Sequence, residues 1–138
     1  SAQPNKLYKG YRIFAHDGSD LNIPYNEKES DTHYRVGKFG KHVGSLHLNA
    51  LYDPLNKHYV AVDFQKIKQL NERKSLCQIV DDFDFTSPTI IIADRGYESF
   101  NVYEHIKKDG QKFLIRAKDT KSNGLLNGLD LPSDGTFR

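Results

Sequence analysis

Apolar and polar positions alternate in pairs over parts of the chain and switch to a helical period over others. Residues 11–15 (YRIFA) form a β-prone run, and His16-Asp17-Gly18-Ser19 after it carries turn chemistry. Residues 20–44 are polar and hold Gly37, Gly40 and Gly44, which predicts a long connecting loop with room for one short strand. Residues 45–52 (SLHLNALY) alternate, with Leu46 and Leu48 on one face. After the turn Asp53-Pro54-Leu55-Asn56-Lys57, residues 58–64 (HYVAVDF) alternate again, setting Tyr59 opposite Val60 and Val62. The two runs predict a β-hairpin.

From Asn71 the period changes. Leu76, Ile79, Val80 and Phe83 are spaced i, i+3, i+4 and i+7, one face of a helix, and Asn71 suits its N-cap. Residues 84–88 break it. Residues 89–93 (TIIIA) are continuously apolar, as in a strand buried on both faces. Asp94-Arg95-Gly96-Tyr97 follows at once. Ser99 then caps a second helix with Phe100, Tyr103 and Ile106 inward, Lys107 and Lys108 in its last turn, and Gly110 at its end. Residues 112–116 (KFLIR) make a last strand, and residues 117–138 show no clear element. This order predicts an α/β fold with a central mixed sheet of about five strands flanked by helices.

Composition narrows the classes. The chain has 138 residues, 37% hydrophobic and 28% charged, enough for one domain and unlike a disordered segment. The apolar run near residues 90–93 is too short to span a bilayer, and the polar first residues do not resemble a signal peptide. Cys77 stands alone, which excludes an intrachain disulfide or a cysteine zinc site and fits a reducing cytoplasm. The net charge of +2 neither demands nor forbids a nucleic-acid partner, but it excludes a dense basic arm. Residues 104–121 are locally basic, with 6 Lys or Arg against 3 Asp or Glu. The sequence lacks methionine, Ser1-Ala2 reads as a tag scar, and the end at Gly135-Thr136-Phe137-Arg138 has no terminal helix. These features suggest a piece of a longer protein.

Two aspartates end predicted strands. Asp17 follows the first strand and Asp94 the most apolar one, 77 positions later. If those strands are neighbours, both carboxylates emerge at one edge of the sheet. Paired hard oxygen ligands there suit Mg²⁺ or Mn²⁺, which serve phosphoryl transfer by activating a nucleophile and stabilising the leaving oxygen. The competing reading is that each aspartate simply starts a turn.

The stretches HDGSDLNIP (16–24), LHLNALYDPLNKHYV (46–60), IIIADRGYESFNVYEHI (90–106) and FLIRAKD (113–119) resemble the catalytic domain of IS4-family transposases. The resemblance covers residues 11–119 and is carried chiefly by the DRGY segment with its helix and by the I-R-A-K strand. It implies a DDE transposase with an RNase H-like fold, acting on transposon ends and target DNA with Mg²⁺ or Mn²⁺. Asp17 and Asp94 match the first two acids of the triad, as catalytic residues and metal ligands. The third acid, a Glu in a Y-R-E-K signature, has no counterpart here; in the family it lies beyond the point where this chain ends. Glu98 and Glu104 are the nearest substitutes and do not match the motif. The implied chemistry is hydrolysis at a transposon end, then attack of the freed 3′-OH on a target strand, often through a DNA hairpin. A synaptic dimer is expected of the full-length protein, and no membrane partner.

Arg95, Arg116 and Lys118 are candidate DNA contacts, Arg116 foremost because the resemblance implies a phosphate contact there, which a guanidinium fork suits. Each has the alternative role of surface solubility or carboxylate pairing. Lys66, Lys68, Arg73 and Lys74 form a basic cluster suited to DNA backbone or to a solvated helix start. Tyr97 reads as packing under the helix and Cys77 as a buried small hydrophobe. His47 and His58, on the paired strands, are placed to face each other, and His16 adjoins Asp17. Two further functions remain open on sequence grounds. One is another RNase H-like nuclease, such as a resolvase or repair nuclease. The other is a non-catalytic DNA-binding or assembly module from a decayed element.

Overall fold

The computed structural model describes residues 5–131, so both chain ends discussed above lie outside the described residues. Six strands form one sheet: β1 (Arg12–Ile23), β2 (His33–Arg35), β3 (His42–Asp53), β4 (His58–Lys66), β5 (Thr89–Ala93) and β6 (Lys112–Ile115). Two helices, α1 (Glu72–Asp82) and α2 (Phe100–Lys108), complete the regular structure. The sheet runs β2-β3-β1-β5-β6, with β4 also paired to β3. The β1–β3 and β3–β4 pairs are antiparallel, and β5 runs parallel to both β1 and β6. The hairpin therefore lies on one side of β1 and the strand leading to Asp94 on the other. The sixth strand, β2, is the short one within the polar connection.

Both helices pack on one face of the sheet. Phe14, Leu51, Ile91 and Ala93 meet Leu76, Ile79 and Val80 of α1 and Val102 and Ile106 of α2 in a single buried cluster. Burying side chains of this size contributes about 1.5–3 kcal/mol each, which makes this cluster the main source of stability. Phe83 closes it edge-on against Phe14, with ring centroids 5.4 Å apart. Asn71 caps α1, its side chain accepting from the Lys74 amide at 3.0 Å. Gly110 ends α2 at φ 72°. Its amide donates to Lys107 and the Gln111 amide to Ile106, the paired bonds of a left-handed C-cap.

The opposite face carries Ile13, Ala15, Leu48, Ala50, Ile90 and Ile92, read from the strand registers. No described helix covers it, and Val62, Phe64 and Leu114 are more than half exposed there. Ile90 and Ile92 are consequently half-buried, where the apolar run predicts burial on both sides. The hairpin's apolar alternation also points outward. Leu46 and Leu48 lie on the open face, while Ser45, His47 and Asn49, which alternate with them, are buried on the helix side. A bulge between Leu51 and Tyr52 shifts the β4 register, so Val60 packs toward the core and Val62 does not. Phe100 is 71% exposed rather than inward, because the buried stripe of α2 runs through Val102 and Ile106.

Candidate active site

The strand registers bring Asp17, Asp94 and Arg116 into one row. β1 and β5 pair from Arg12 with Thr89 to Ala15 with Ile92. Continued two further steps past its last rung, that register leads to Asp17 on β1 and to Asp94 just after β5. β5 and β6 pair through Ala93 with Ile115, and the Arg116 amide donates to the Ala93 carbonyl at 3.3 Å. One further step sets Arg116 beside Asp94. All three residues are exposed, on the open face of the sheet. The register thus leads both aspartates, and Arg116 with them, to the same end of neighbouring strands.

Asp17 does not sit in a turn. β1 runs on to Ile23 because nine antiparallel rungs, Ala15 with Tyr52 through Ile23 with Gly44, give the D-G-S-D stretch partners on β3. Long-range pairing overrides local turn chemistry here. Since β5 stops at Ala93, the edge of β1 beyond Ala15 is left open on that side. Asp17 Oδ1 accepts from the Gly18 amide at 2.9 Å, and Asp94 Oδ1 accepts from the Gly96 amide at 2.6 Å. Among the described residues, the second oxygen of each carboxylate has no hydrogen-bond partner.

Gly18 is there for space. A Cβ on it would lie 2.2 Å from His47 Nε2 and 2.7 Å from Glu72 Oε1. His47 is buried and joins two carboxylates, Asp20 at 2.7 Å through Nδ1 and Glu72 at 3.0 Å through Nε2. Glu72 belongs to the first turn of α1. The next residue, Arg73, donates from Nε to the Gly96 carbonyl at 2.8 Å, tying that turn to the segment after Asp94. Between these elements lie two buried rings, His16 and Tyr97, edge-to-face at 4.7 Å. Neither ring nitrogen of His16 nor the Tyr97 hydroxyl has a hydrogen-bond partner among the described residues. Burial pulls the His16 pKa down to about 4, with Asp17 opposing and His47 assisting. Burial pushes the Tyr97 phenol up, and the charges of Glu72, Asp17 and Asp94 push the same way.

The remaining candidates fall in several places. Arg95 is exposed in the single helical turn after Asp94. Lys118 is half-buried, its amide donating to Glu98 Oε2 at 2.8 Å. Glu98 also accepts from the Leu125 amide, and these backbone bonds hold its carboxyl below the usual range against the opposing effect of burial. It anchors the chain that follows β6 and is not free for a metal. Glu104 pairs with Lys107 on the exposed side of α2. His47 and His58 do not face each other, since His47 pairs with Gln65 and His58 with Asp53 across the hairpin. Cys77 is buried, and Tyr97 packs as expected. Sequence reasoning missed Glu72 and His47 as site residues. An acid in the first turn of a capped helix is ordinarily read as a dipole partner, and the only signal for His47 is a polar residue where alternation has an inward position.

Among the described residues, no three His, Cys, Asp or Glu side chains form a ready-made cation site. Mg²⁺ commonly takes one or two protein carboxylates and completes its shell with water and substrate phosphate. Two exposed aspartates side by side, each with a spare oxygen, fit that demand. No helix among the described residues is long and apolar enough to cross a membrane.

No curated protein matches the sequence. Among solved structures, the chain is similar to a piggyBac transposase in a synaptic complex with hairpin DNA, with a TM-score of 0.51 at 12% identity. The match covers 77% of this chain and 22% of that one, so the chain spans about a fifth of that protein's length. At this identity the likeness establishes the fold, the mixed sheet of DDE transposases. The profile of the family described as Transposase DDE domain matches residues 8–128, nearly the whole chain, and this chain therefore belongs to that family.

Proposed function

We propose that this chain is part of the catalytic domain of a DDE transposase of the IS4 type, cleaving and joining DNA with Mg²⁺ or Mn²⁺ held by Asp17 and Asp94. What supports the reading is that the registers of the adjacent parallel strands β1, β5 and β6, continued past their last rungs, lead to Asp17, Asp94 and Arg116. The carboxylates supply hard oxygens for the cation, which when bound would activate water or a 3′-OH and offset charge on the leaving oxygen. Arg116, beside Asp94, grips a neighbouring phosphate of the DNA and fixes the scissile bond relative to the carboxylates. Arg95 and Lys118 extend contact along the backbone, where they add salt-dependent affinity without sequence preference.

The open sheet face bears on how the site is finished. Val62, Phe64 and Leu114 are exposed on the face to which the aspartates point. In a longer protein we assign that face to the segment that brings the family's third acid. Synapsis of two transposon ends by a dimer, in the cytoplasm, is part of the same proposal.

The test is strand cleavage by the longer protein on DNA with and without a transposon end. Asp17→Ala and Asp94→Ala should each abolish cleavage with the fold intact. Arg116→Ala should lower it by one to two orders of magnitude. Cleavage preserved in both aspartate variants would refute the assignment. Equal cleavage of end-bearing and random DNA would point to a general nuclease of the same fold.

A further inference from the structure

The polar network on the helix side of β1 has no role in the reading above. It is costly to build. Ser45, His47 and Asn49 fill inward positions of a central strand, and His16 and Tyr97 are each 3% exposed. Burying polar side chains without full hydrogen bonding costs about 1–3 kcal/mol each on mutational evidence. The network is also aimed. His47 Nε2 lies 3.0 Å from Glu72 Oε1 without a hydrogen bond to it, Arg73 pins the same helical turn to Gly96, and Gly18 is small enough to let His47 and Glu72 approach the backbone next to Asp17.

Glu72 thus lies close to the Asp17 segment on one side and is tied to the Asp94 segment on the other. The two faces of the sheet meet there, because β1 has no partner on that edge beyond Ala15. The Tyr97 hydroxyl, buried and without a partner, sits in the combined field of Glu72, Asp17 and Asp94. Two unsatisfied polar atoms buried here, the Tyr97 hydroxyl and His47 Nε2, mark a place where a bound water or a hydrated ion completes the bonding.

We propose that Glu72 is a third carboxylate of the cation site, holding a metal-bound water from the helix side while Asp17 and Asp94 ligate the ion from the open face, with the Asp20–His47 pair setting its orientation. This rests on the two-aspartate reading above. Outer carboxylates of this kind orient bound water and raise metal affinity, and their loss typically weakens it 10–100-fold. Glu72 is 41% exposed, so a hydrated ion can reach it from solvent.

The experiment is titration of the 138-residue chain with Mn²⁺, following the loss of the free-ion electron paramagnetic signal. Wild type, Asp17→Asn, Asp94→Asn and Glu72→Gln are compared, with thermal melting without metal as the folding control. Glu72→Gln keeps the side chain's shape, so its fold should melt normally. The expected result is binding by wild type, loss of binding in both aspartate variants, and at least fivefold weaker binding in Glu72→Gln. Binding by Glu72→Gln within fivefold of wild type, with both aspartate variants still defective, overturns the role of Glu72 and leaves the two-aspartate site standing. Absence of Mn²⁺ binding by wild type, or normal binding by either aspartate variant, overturns the two-aspartate site and this inference with it.

Discussion

At the scale of single residues, the most demanding placement outside the site is Asp53. It is fully buried and accepts from Arg12 Nη2 at 2.8 Å, from Asn56 Nδ2 at 2.9 Å, and from the amides of Leu55 and Asn56. Burial alone would push its pKa up, but the bonds from Arg12 and Asn56 outweigh burial and hold it below the ordinary value. Its stabilising contribution is therefore complete above about pH 4 and is lost as pH falls through the depressed native value. Asp53→Asn should cost about 3 kcal/mol at neutral pH, since Arg12 would remain largely buried without its counter-charge. Urea midpoints of the two proteins should differ at pH 7 and draw together only as pH falls below about 4. Gly18 shows why residue type and residue role have to be separated. In the sequence it belongs to a turn signal, and in the fold it is a gap in a continuous strand. Gly18→Ala should displace Glu72 and His47 and lower Mn²⁺ affinity several-fold, read by the same titration.

At the scale of elements, the helices were the most legible. The four apolar positions from Leu76 to Phe83 and the Asn71 cap locate α1 within a residue of its observed bounds. Asn71→Ala should lower stability by about 1 kcal/mol. Gly110→Ala should cost a similar amount, about 1–2 kcal/mol, because its backbone is left-handed. Both are read as shifts in the urea midpoint. The extent of β1 was not legible, and the reason is physical. Its second half is fixed by nine rungs with β3, and no property of Asp17-Gly18-Ser19-Asp20 itself announces a partner about 30 positions away. The facing of the hairpin was hidden likewise. Alternation fixes which residues share a face, but Leu46 and Leu48 cannot say which face the helices will take. Asp17 and Asp94 stand out in the sequence because an acid directly after an apolar run is a local signal, although β1 in fact continues past Asp17. Glu72 was not, because its part depends on where α1 is set down.

At the scale of the molecule, the sheet has one finished face and one unfinished one. The helix side holds the buried cluster that stabilises the fold. The other side exposes Val62, Phe64 and Leu114 beside a shallow groove of about 280 Å³ that runs from Asp17 to Tyr59. Exposed apolar patches of this kind mark interaction surfaces and drive self-association when left bare. The isolated chain should therefore associate at high concentration, and Phe64→Lys with Leu114→Lys should reduce this, read by light scattering. A cation that binds only the folded state should also stabilise it. At a hundredfold excess over its dissociation constant, Mn²⁺ should add about 2.7 kcal/mol, read as a rise in melting temperature.

The row of Asp17, Asp94 and Arg116 depends on counting rather than on distance along the chain. Each residue is placed by how many steps separate it from the last shared rung of its strand: two for Asp17 and Asp94, one for Arg116. Loop length does not enter this count, so an inserted residue between Pro24 and Lys41 leaves the row in register. One residue inserted between Ala15 and Asp17 would turn the carboxylate through the sheet to the helix side. The chemistry of this domain is thus framed like a reading register. The loop between Pro24 and Lys41 tolerates a change of length, and three short stretches, each ending at a charged residue, tolerate none.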